Sequence, residues 1–326
     1  MGAELRSIGA YIPERRMSND ELAKIVDTSD EWIRSHTGIG FRHIADDGDA
    51  ASDLGVRAAT QALERAQIDA DQIDMILCAT ASGDHVGFPS TACLIQDQLG
   101  ARNAGAMDLI AGCTGFVYGL ETAKGLIASG SAKHVILVGS EVLTRIMDWT
   151  DRNTCVLFGD GAGAAVVSQS DNGNGILDSF LRSDGSRAMA LARKTGGTRT
   201  PFRPGETPEA DTFIQMEGRA VYNFAVQVIV DTIQTLLERN KITIDDLKFI
   251  VPHQANVRII EAAAKRAKIP MEKFYLNIEE YANTSAATIP IALNELYEKQ
   301  QLERGDLFMT VGFGAGLTFG GNLVRW

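Results

Sequence analysis

Several things are scarce in this chain, and each scarcity narrows what it can do. Cysteine is confined to the first half: Cys78, Cys93, Cys113 and Cys155 are the only four, and no two stand in CxxC spacing. Neither a zinc site nor a dense disulfide framework is indicated, so no metal is expected and the thiols are expected to be reduced. No uninterrupted apolar run reaches 18 residues, and Met1 to Arg16 carries Glu4, Arg6, Glu14, Arg15 and Arg16 around a short apolar segment. A spanning helix and a signal peptide are therefore unsupported, and a cytoplasmic protein without a membrane partner is expected. Positive charge is in deficit, with 31 Lys+Arg against 42 Asp+Glu and a net charge of -11. General nucleic-acid binding is disfavoured, and an acidic partner has to be met by a local basic patch. What is present is ordinary for a globular protein: 326 residues, 45% hydrophobic and 22% charged, enough for one large or two medium domains.

The chain is organised around Met107 to Leu120, MDLIAGCTGFVYGL. A short apolar run ends at Gly112 and a helix is predicted from Thr114 to about Gly130, which puts Cys113 at the strand-to-helix turn. Unpaired N–H groups and the macrodipole at a helix start favour thiolate over thiol and lower a cysteine pKa. The helix itself carries small residues at Gly115, Gly119, Ala123, Gly125, Ala128 and Gly130, with Glu121 and Lys124 its only charges, so it is expected to be buried. A nucleophile and a small buried hydrophobe are both open readings of Cys113 at this point.

Taken in order, the chain predicts a strand at Leu5 to Tyr11, a capped helix from Ser18 to Val26, and a second short helix in Thr28 to Ile39 bearing Trp32. A helix over Ala51 to Ala66, a strand over Asp74 to Thr80 and a helix over Ser90 to Leu99 follow. The strongest organisational signal is a repeat: Ala62 to Ile76 lies without gaps over Leu236 to Ile250 at an offset of 174, with six identities (Leu63/Leu237, Glu64/Glu238, Arg65/Arg239, Ile68/Ile242, Asp71/Asp245, Ile76/Ile250). Val135 to Gly139 matches Leu307 to Gly312, Gly161 to Ser168 matches Thr318 to Val324, and the Cys113 turn matches Asn283-Thr284-Ser285. The expectation is a duplicated α/β unit, residues 1–174 and 175–326, meeting at the turn-rich Asp171 to Gly175. Equivalent turns from the two halves should converge on one site, and the aperiodic Ser183 to Ala210 segment is read as its cover.

At the converging turns the second half offers Pro252-His253-Gln254-Ala255-Asn256-Val257-Arg258 and Tyr281-Ala282-Asn283-Thr284-Ser285. Alone, His253 reads as a structural strand-end histidine and Asn283 as a helix N-cap. With Cys113 they also fit a cysteine hydrolase, but the local signature of a papain-type cysteine is absent and the helix behind Cys113 looks buried. Two neutral donors aimed at one point suit an enolate oxygen instead.

Val251 to Ile260 (VPHQANVRII), Ala282 to Ala287 (ANTSAA), Phe158 to Ala165 (FGDGAGAA) and the Cys113 turn together resemble the β-ketoacyl-acyl-carrier-protein synthase III family, over Leu5 to Trp326. The resemblance implies a thiolase-like fold, an internally duplicated five-layered αβαβα architecture, as a homodimer. It implies an acyltransferase that condenses an acyl-CoA primer with malonyl-carrier protein, with acyl-CoA as substrate and no cofactor. Cys113 is then the acylated nucleophile and His253 and Asn283 the donors to the malonyl enolate, with N–H groups at Cys113 and within Phe313 to Gly316 holding the oxyanion.

By the same resemblance Trp32 and Arg152 sandwich the CoA adenine, Thr37 lies beside them, and Phe88 reaches across the dimer to close the partner's acyl pocket. Leu143, Phe313 and Ala315 line or support the site. His36 stands where many relatives have arginine, which passes the phosphate contact to Arg34. Arg258, Lys265 and Arg266 share a helix face next to Gln254, and these four are assigned to acyl-carrier-protein docking. A thiolase would need a second catalytic cysteine near the C-terminus, and none follows Cys155. A condensing enzyme of secondary metabolism would use the same triad. The glycines of Phe158 to Ala165 do not open a helix in the spacing a nucleotide cradle needs, so close backbone packing is expected there.

Overall fold

The computed structural model describes residues 2–170 and 172–326. Asp171, part of the expected junction, lies outside the described residues.

The first sheet runs in the order Gly2–Tyr11, Gly161–Ser170, His134–Glu141, Met75–Ala79, Gly105–Leu109. Its successive pairings are antiparallel, antiparallel, parallel, parallel. In the second sheet, Gly175–Ser183, Thr318–Arg325, Leu307–Gly314 and Phe249–Pro252 follow with the pairings antiparallel, antiparallel, parallel. A fifth position is marked by one parallel bridge, Ile250 to Phe274. Only one residue aligns, because Pro270 and the 3-10 turn Met271–Lys273 deliver the chain to the sheet edge at Phe274.

Helices fill three layers around the two sheets. Ala51–Ala66 and Thr91–Leu99 pack on the outer face of the first sheet through Ala58, Ala62 and Ile95. Gly218–Asn240 and Val257–Ala267 cover the second sheet through Ile229, Ile233, Ile260 and Met309. Between the sheets, Gly115–Ala128 and Thr288–Glu298 share one core with Phe116, Leu120, Ile289 and Leu293. The Gly218–Asn240 helix is long and apolar enough to cross a membrane by composition, yet half of that stretch is buried inside the fold.

The sequence repeat has a backbone counterpart. Gln67 and Lys241, 174 residues apart, end equivalent helices at φ +55° and +53°, and the 3-10 turns Ala70–Gln72 and Ile244–Asp246 follow each. The glycine-rich run packs backbone to neighbour as expected: a Cβ at Gly163 would meet Pro290 at 2.6 Å.

Two local expectations change. The Ser18 to Val26 helix is a single turn, Asn19–Leu22, capped by Ser18 with Glu21 completing the box. The buried Asn19 amide is tied to Asp30 and to the Ile39 carbonyl, which pins the turn against the next helix, Asp30–Thr37. Within Ser183 to Ala210 the strand Leu191–Arg193 pairs with Ile214–Met216. That hairpin lies over the cavities described next.

Candidate active site

Cys113 occupies a one-turn 3-10 helix, Gly112–Thr114, that feeds the helix Gly115–Ala128. Gly314 at the end of its strand packs directly on it: a Cβ there would stand 2.8 Å from the Cys113 nitrogen, so only glycine allows the approach. Two cavities meet at the thiol. The larger, about 270 Å³, is lined by Cys113, His253 and Asn283 and extends outward past Phe313, Thr37, Trp32 and Arg152. The smaller, about 110 Å³, is apolar and lined by Cys113, Leu143, Phe158, Leu191, Ile214 and Ala315. Cysteine, histidine and asparagine, drawn from both halves, are thus brought to one point.

Their electrostatics follow from burial. Burial pushes the Cys113 thiol up to about 12, against a downward pull from the Ser285 hydroxyl and with the nearby Glu141 charge adding to the rise. This reverses the lowering expected from the helix start: a fully enclosed thiolate loses its hydration, and in the resting site that loss outweighs the helix terminus. Burial drives His253 down to about 3, the Ser285 backbone acting weakly the other way, so the imidazole is neutral at pH 7. The ring meets Phe313 edge-on at 5.0 Å between centroids, and its buried Nδ1 has no hydrogen-bond partner. Asn283 Oδ1 accepts from the Ser285 N–H at 2.9 Å, which leaves the amide N–H₂ as the end free for the cavity. It is not the N-cap of the following helix, whose cap is Ala287.

The outer residues are placed as follows. The Arg152 guanidinium lies 4.8 Å over the Trp32 ring, whose other neighbour is His36, stacked at 4.4 Å. Thr37 lines the cavity, but its hydroxyl is committed to its own helix end, donating to the Ile33 carbonyl and accepting from Ile39 N–H. Arg34, expected to take a phosphate contact, is instead paired with Asp30 at 2.9 Å and Glu279 at 2.7 Å and lines neither cavity. His36 does line the larger one. Phe88 is 89% exposed and belongs to neither cavity of its own chain.

Gln254 requires a correction. Assigned to carrier docking, it is wholly buried: its Oε1 accepts from Asn277 N–H and Ile278 N–H, and its Nε2 donates to the Tyr275 carbonyl. A polar side chain that ties two backbone segments together has nothing left to offer a partner. Arg258, Lys265 and Arg266 are exposed on the Val257–Ala267 helix, which begins beside the mouth of the larger cavity at Asn256. Leu191 falls within the Ser183 to Ala210 segment expected to cover the site, whereas Glu141 and the cover residues Ile214 and Met216 were not anticipated from the sequence. Glu141 had a legible signal, a lone acid closing the run Val135 to Ser140; Ile214 and Met216 had none.

Residues 107–185 match the family model of 3-oxoacyl-[acyl-carrier-protein] synthase III, and residues 237–326 match the model of its C-terminal part. The chain is 47% identical over 327 residues to a Caldanaerobacter subterraneus protein named beta-ketoacyl-[acyl-carrier-protein] synthase III, covering 100% of this chain and 98% of that one. The chain belongs to the 3-oxoacyl-[acyl-carrier-protein] synthase III family. Among solved structures, the Aquifex aeolicus synthase III superposes with a TM-score of 0.92 at 40% identity, covering 100% of both chains. The priming β-ketosynthase of the R1128 polyketide pathway, also similar to this synthase III family member, gives 0.92 at 34% identity over 99% of this chain and 96% of that one. The thiolase-like architecture expected from the sequence is therefore the observed one.

Proposed function

We propose that this acyltransferase joins an acyl-CoA primer to malonyl-carrier protein, the decarboxylative condensation that initiates fatty-acid synthesis. The observation that carries the reading is one cavity into which the first half delivers a thiol and the second half two neutral donors. Cys113 attacks the primer thioester, CoA leaves, and the acyl group rests in the smaller apolar cavity. Malonyl thioester then loses carbon dioxide as His253 and Asn283 donate to its enolate oxygen, and the carbanion attacks the acyl-Cys113 carbonyl. A neutral imidazole suits this step, since a donor that keeps its proton stabilises the enolate without quenching it.

Trp32 and Arg152 are proposed to hold the CoA adenine, the guanidinium lifting from the indole to admit it. Arg258, Lys265 and Arg266 are proposed to dock the acidic carrier. A homodimer is supported by the sheet's exposed edge: Gly105–Leu109 is the terminal strand, and near it Ile110 and Phe88 are 84% and 89% exposed. Residues 1–174 and 175–326 are proposed as the repeat units, and the cytoplasm as the compartment.

Intact mass after incubation with acetyl-, isobutyryl- and longer acyl-CoAs, beside Cys113→Ser, tests the reading. Adducts lost in the variant support it and their size defines the primer; no adduct with any primer sinks it.

A further inference from the structure

Glu141 is a carboxylate with no cation beside it. It closes the strand His134–Glu141, is completely buried, and forms no ion pair among the described residues. What surrounds it is a ring of donors from two turns. After Met75–Ala79, the Ala81 N–H donates at 3.0 Å, the Ser82 N–H at 3.1 Å, and the hydroxyls of Thr80 and Ser82 also donate. From the second half the Ala286 N–H donates at 3.4 Å. One residue before Ala286 stands Ser285, buried, lining the acyl cavity with Cys113. Ser285 thus shares this cavity with the Cys113 thiol and directly precedes the residue bonded to Glu141, and its hydroxyl makes no hydrogen bond to either group in the resting site. Hydrogen bonds of this kind commonly tighten only when substrate is bound.

Acylation of Cys113 requires that its proton go somewhere. His253 is a poor acceptor, being driven down to about 3 by burial, and its neutral N–H is needed later as a donor. We propose that Ser285 and Glu141 are the proton path of Cys113, Ser285 handing the thiol proton to the Glu141 carboxylate as sulfur attacks the thioester. This rests on the acyl transfer to Cys113 proposed above. In the step the S–H bond breaks and the S–C bond forms; Ser285 Oγ takes the thiol proton as its own hydrogen passes to Glu141. Collapse of the tetrahedral adduct breaks the bond to CoA sulfur, and the departing thiolate recovers the proton by the reverse path. Ser285 and Glu141 end as they began. Burial raises the Glu141 carboxyl above the usual range while its donors pull it down, which makes it a better proton acceptor than an exposed glutamate. The other titratable groups near the pair are His253, Cys78 on the neighbouring strand, raised well above its ordinary value by burial, and Asp108, occupied by the Thr91 and Ala92 N–H groups.

The test is the single-turnover rate of Cys113 acylation from pH 6 to 9.5 in the full-length protein, for wild type, Ser285→Ala and Glu141→Gln. With the path intact the wild-type rate should change little across this range, because the thiol proton passes to an acceptor inside the protein and hydroxide is not needed. Ser285→Ala should acylate about a hundredfold more slowly at pH 7 and regain about tenfold per pH unit, as hydroxide takes over. Malonyl decarboxylation, which moves no thiol proton, should stay within about threefold in that variant, whereas a merely structural defect would depress both half-reactions. Glu141→Gln should share the Ser285→Ala profile. If it fails to fold, Ser285→Ala alone decides. A wild-type rate that climbs tenfold per unit throughout, or a Ser285→Ala rate equal to wild type, overturns the proposal. If wild type takes no acyl group, the function above fails instead, and the same profiles are read with iodoacetamide, which needs the same proton removed.

Discussion

Gly112–Thr114 and Ser285–Ala287 are each a single 3-10 turn, each opens at positive φ (+52° at Gly112, +48° at Ser285), and each leads straight into a helix between the sheets. By position in the turn, Gly112 matches Ser285 and Cys113 matches Ala286. Duplication has therefore aimed two equivalent helix starts at one cavity, and side-chain chemistry alone tells them apart. The first turn carries the Cys113 thiol. The second carries no thiol but presents Asn283 just before it, with His253 from the neighbouring strand end, and lines the smaller cavity with Ser285. On the function proposed above the lesson is a division of labour, in which the first half supplies the nucleophile and the second half the enolate donors.

The sharpest way to break that division is to remove one side of it. His253→Ala or Asn283→Ala should slow malonyl-thioester decarboxylation by about 10²–10³, roughly 3–4 kcal/mol of transition-state stabilisation. Radiolabelled acyl-Cys113 should still form to within several-fold of wild type. Equal loss of acyl-enzyme in both variants would show that the halves are not separable.

The two halves also load opposite ends of the pH scale. His253 is depressed from an ordinary value near 6.5 to about 3, so the unfolded histidine takes up its proton first. Its contribution to stability is complete above pH 6.5 and is lost as pH falls toward 3. Cys113 is raised from 9.0 to about 12, so its contribution is complete below pH 9 and is lost as pH climbs toward 12. Between pH 6.5 and 5 the histidine should cost up to about 2 kcal/mol, the limiting slope being about 1.4 kcal/mol per unit. Urea unfolding of wild type and His253→Asn at pH 7 and pH 5 checks this. A pH dependence unchanged by the substitution would mean that the imidazole is not buried neutral.

A smaller effect should separate carrier from primer. Arg258→Glu is expected to weaken carrier-protein affinity about tenfold, close to 1.4 kcal/mol, and more at low salt than at high. Acyl-CoA loading of Cys113 should be untouched. Carrier affinity equal to wild type would take the Val257–Ala267 helix out of the docking surface.

The repeat, the buried Cys113 helix and the triad were readable in the chain because each leaves a local trace: identities at a fixed offset, small residues at helical spacing, and chemistry-bearing groups at strand ends. Charge state was not readable. The thiol pKa depends on how completely Gly314, Ser285 and the second half enclose Cys113, and enclosure is a property of the assembled halves. Gln254 misled for the same reason, since its place in a motif beside Arg258 suggested a surface while its amide is spent on Tyr275, Asn277 and Ile278. Leu191 and Met216 reach the larger cavity from a cover hairpin only three residues deep on each side, too short for any periodicity to announce.

The finest test of the comparison lies in the backbone itself. Both turns demand positive φ, but the first meets the demand with glycine and the second with serine. Gly112→Ala adds a Cβ at φ +52° and brings it to 3.0 Å from the Ala315 Cβ, so it should destabilise the fold by about 1–2 kcal/mol. Ser285→Gly relieves the same strain, though it loosens the unfolded chain, and the balance should lie within about 1 kcal/mol of wild type. Thermal unfolding of the two variants should therefore shift Tm clearly downward for the first and little for the second. If Ser285→Gly proved as damaging as Gly112→Ala, the serine side chain would have to be holding the turn. The equivalence of the two turns would then be one of shape only, with different forces maintaining each.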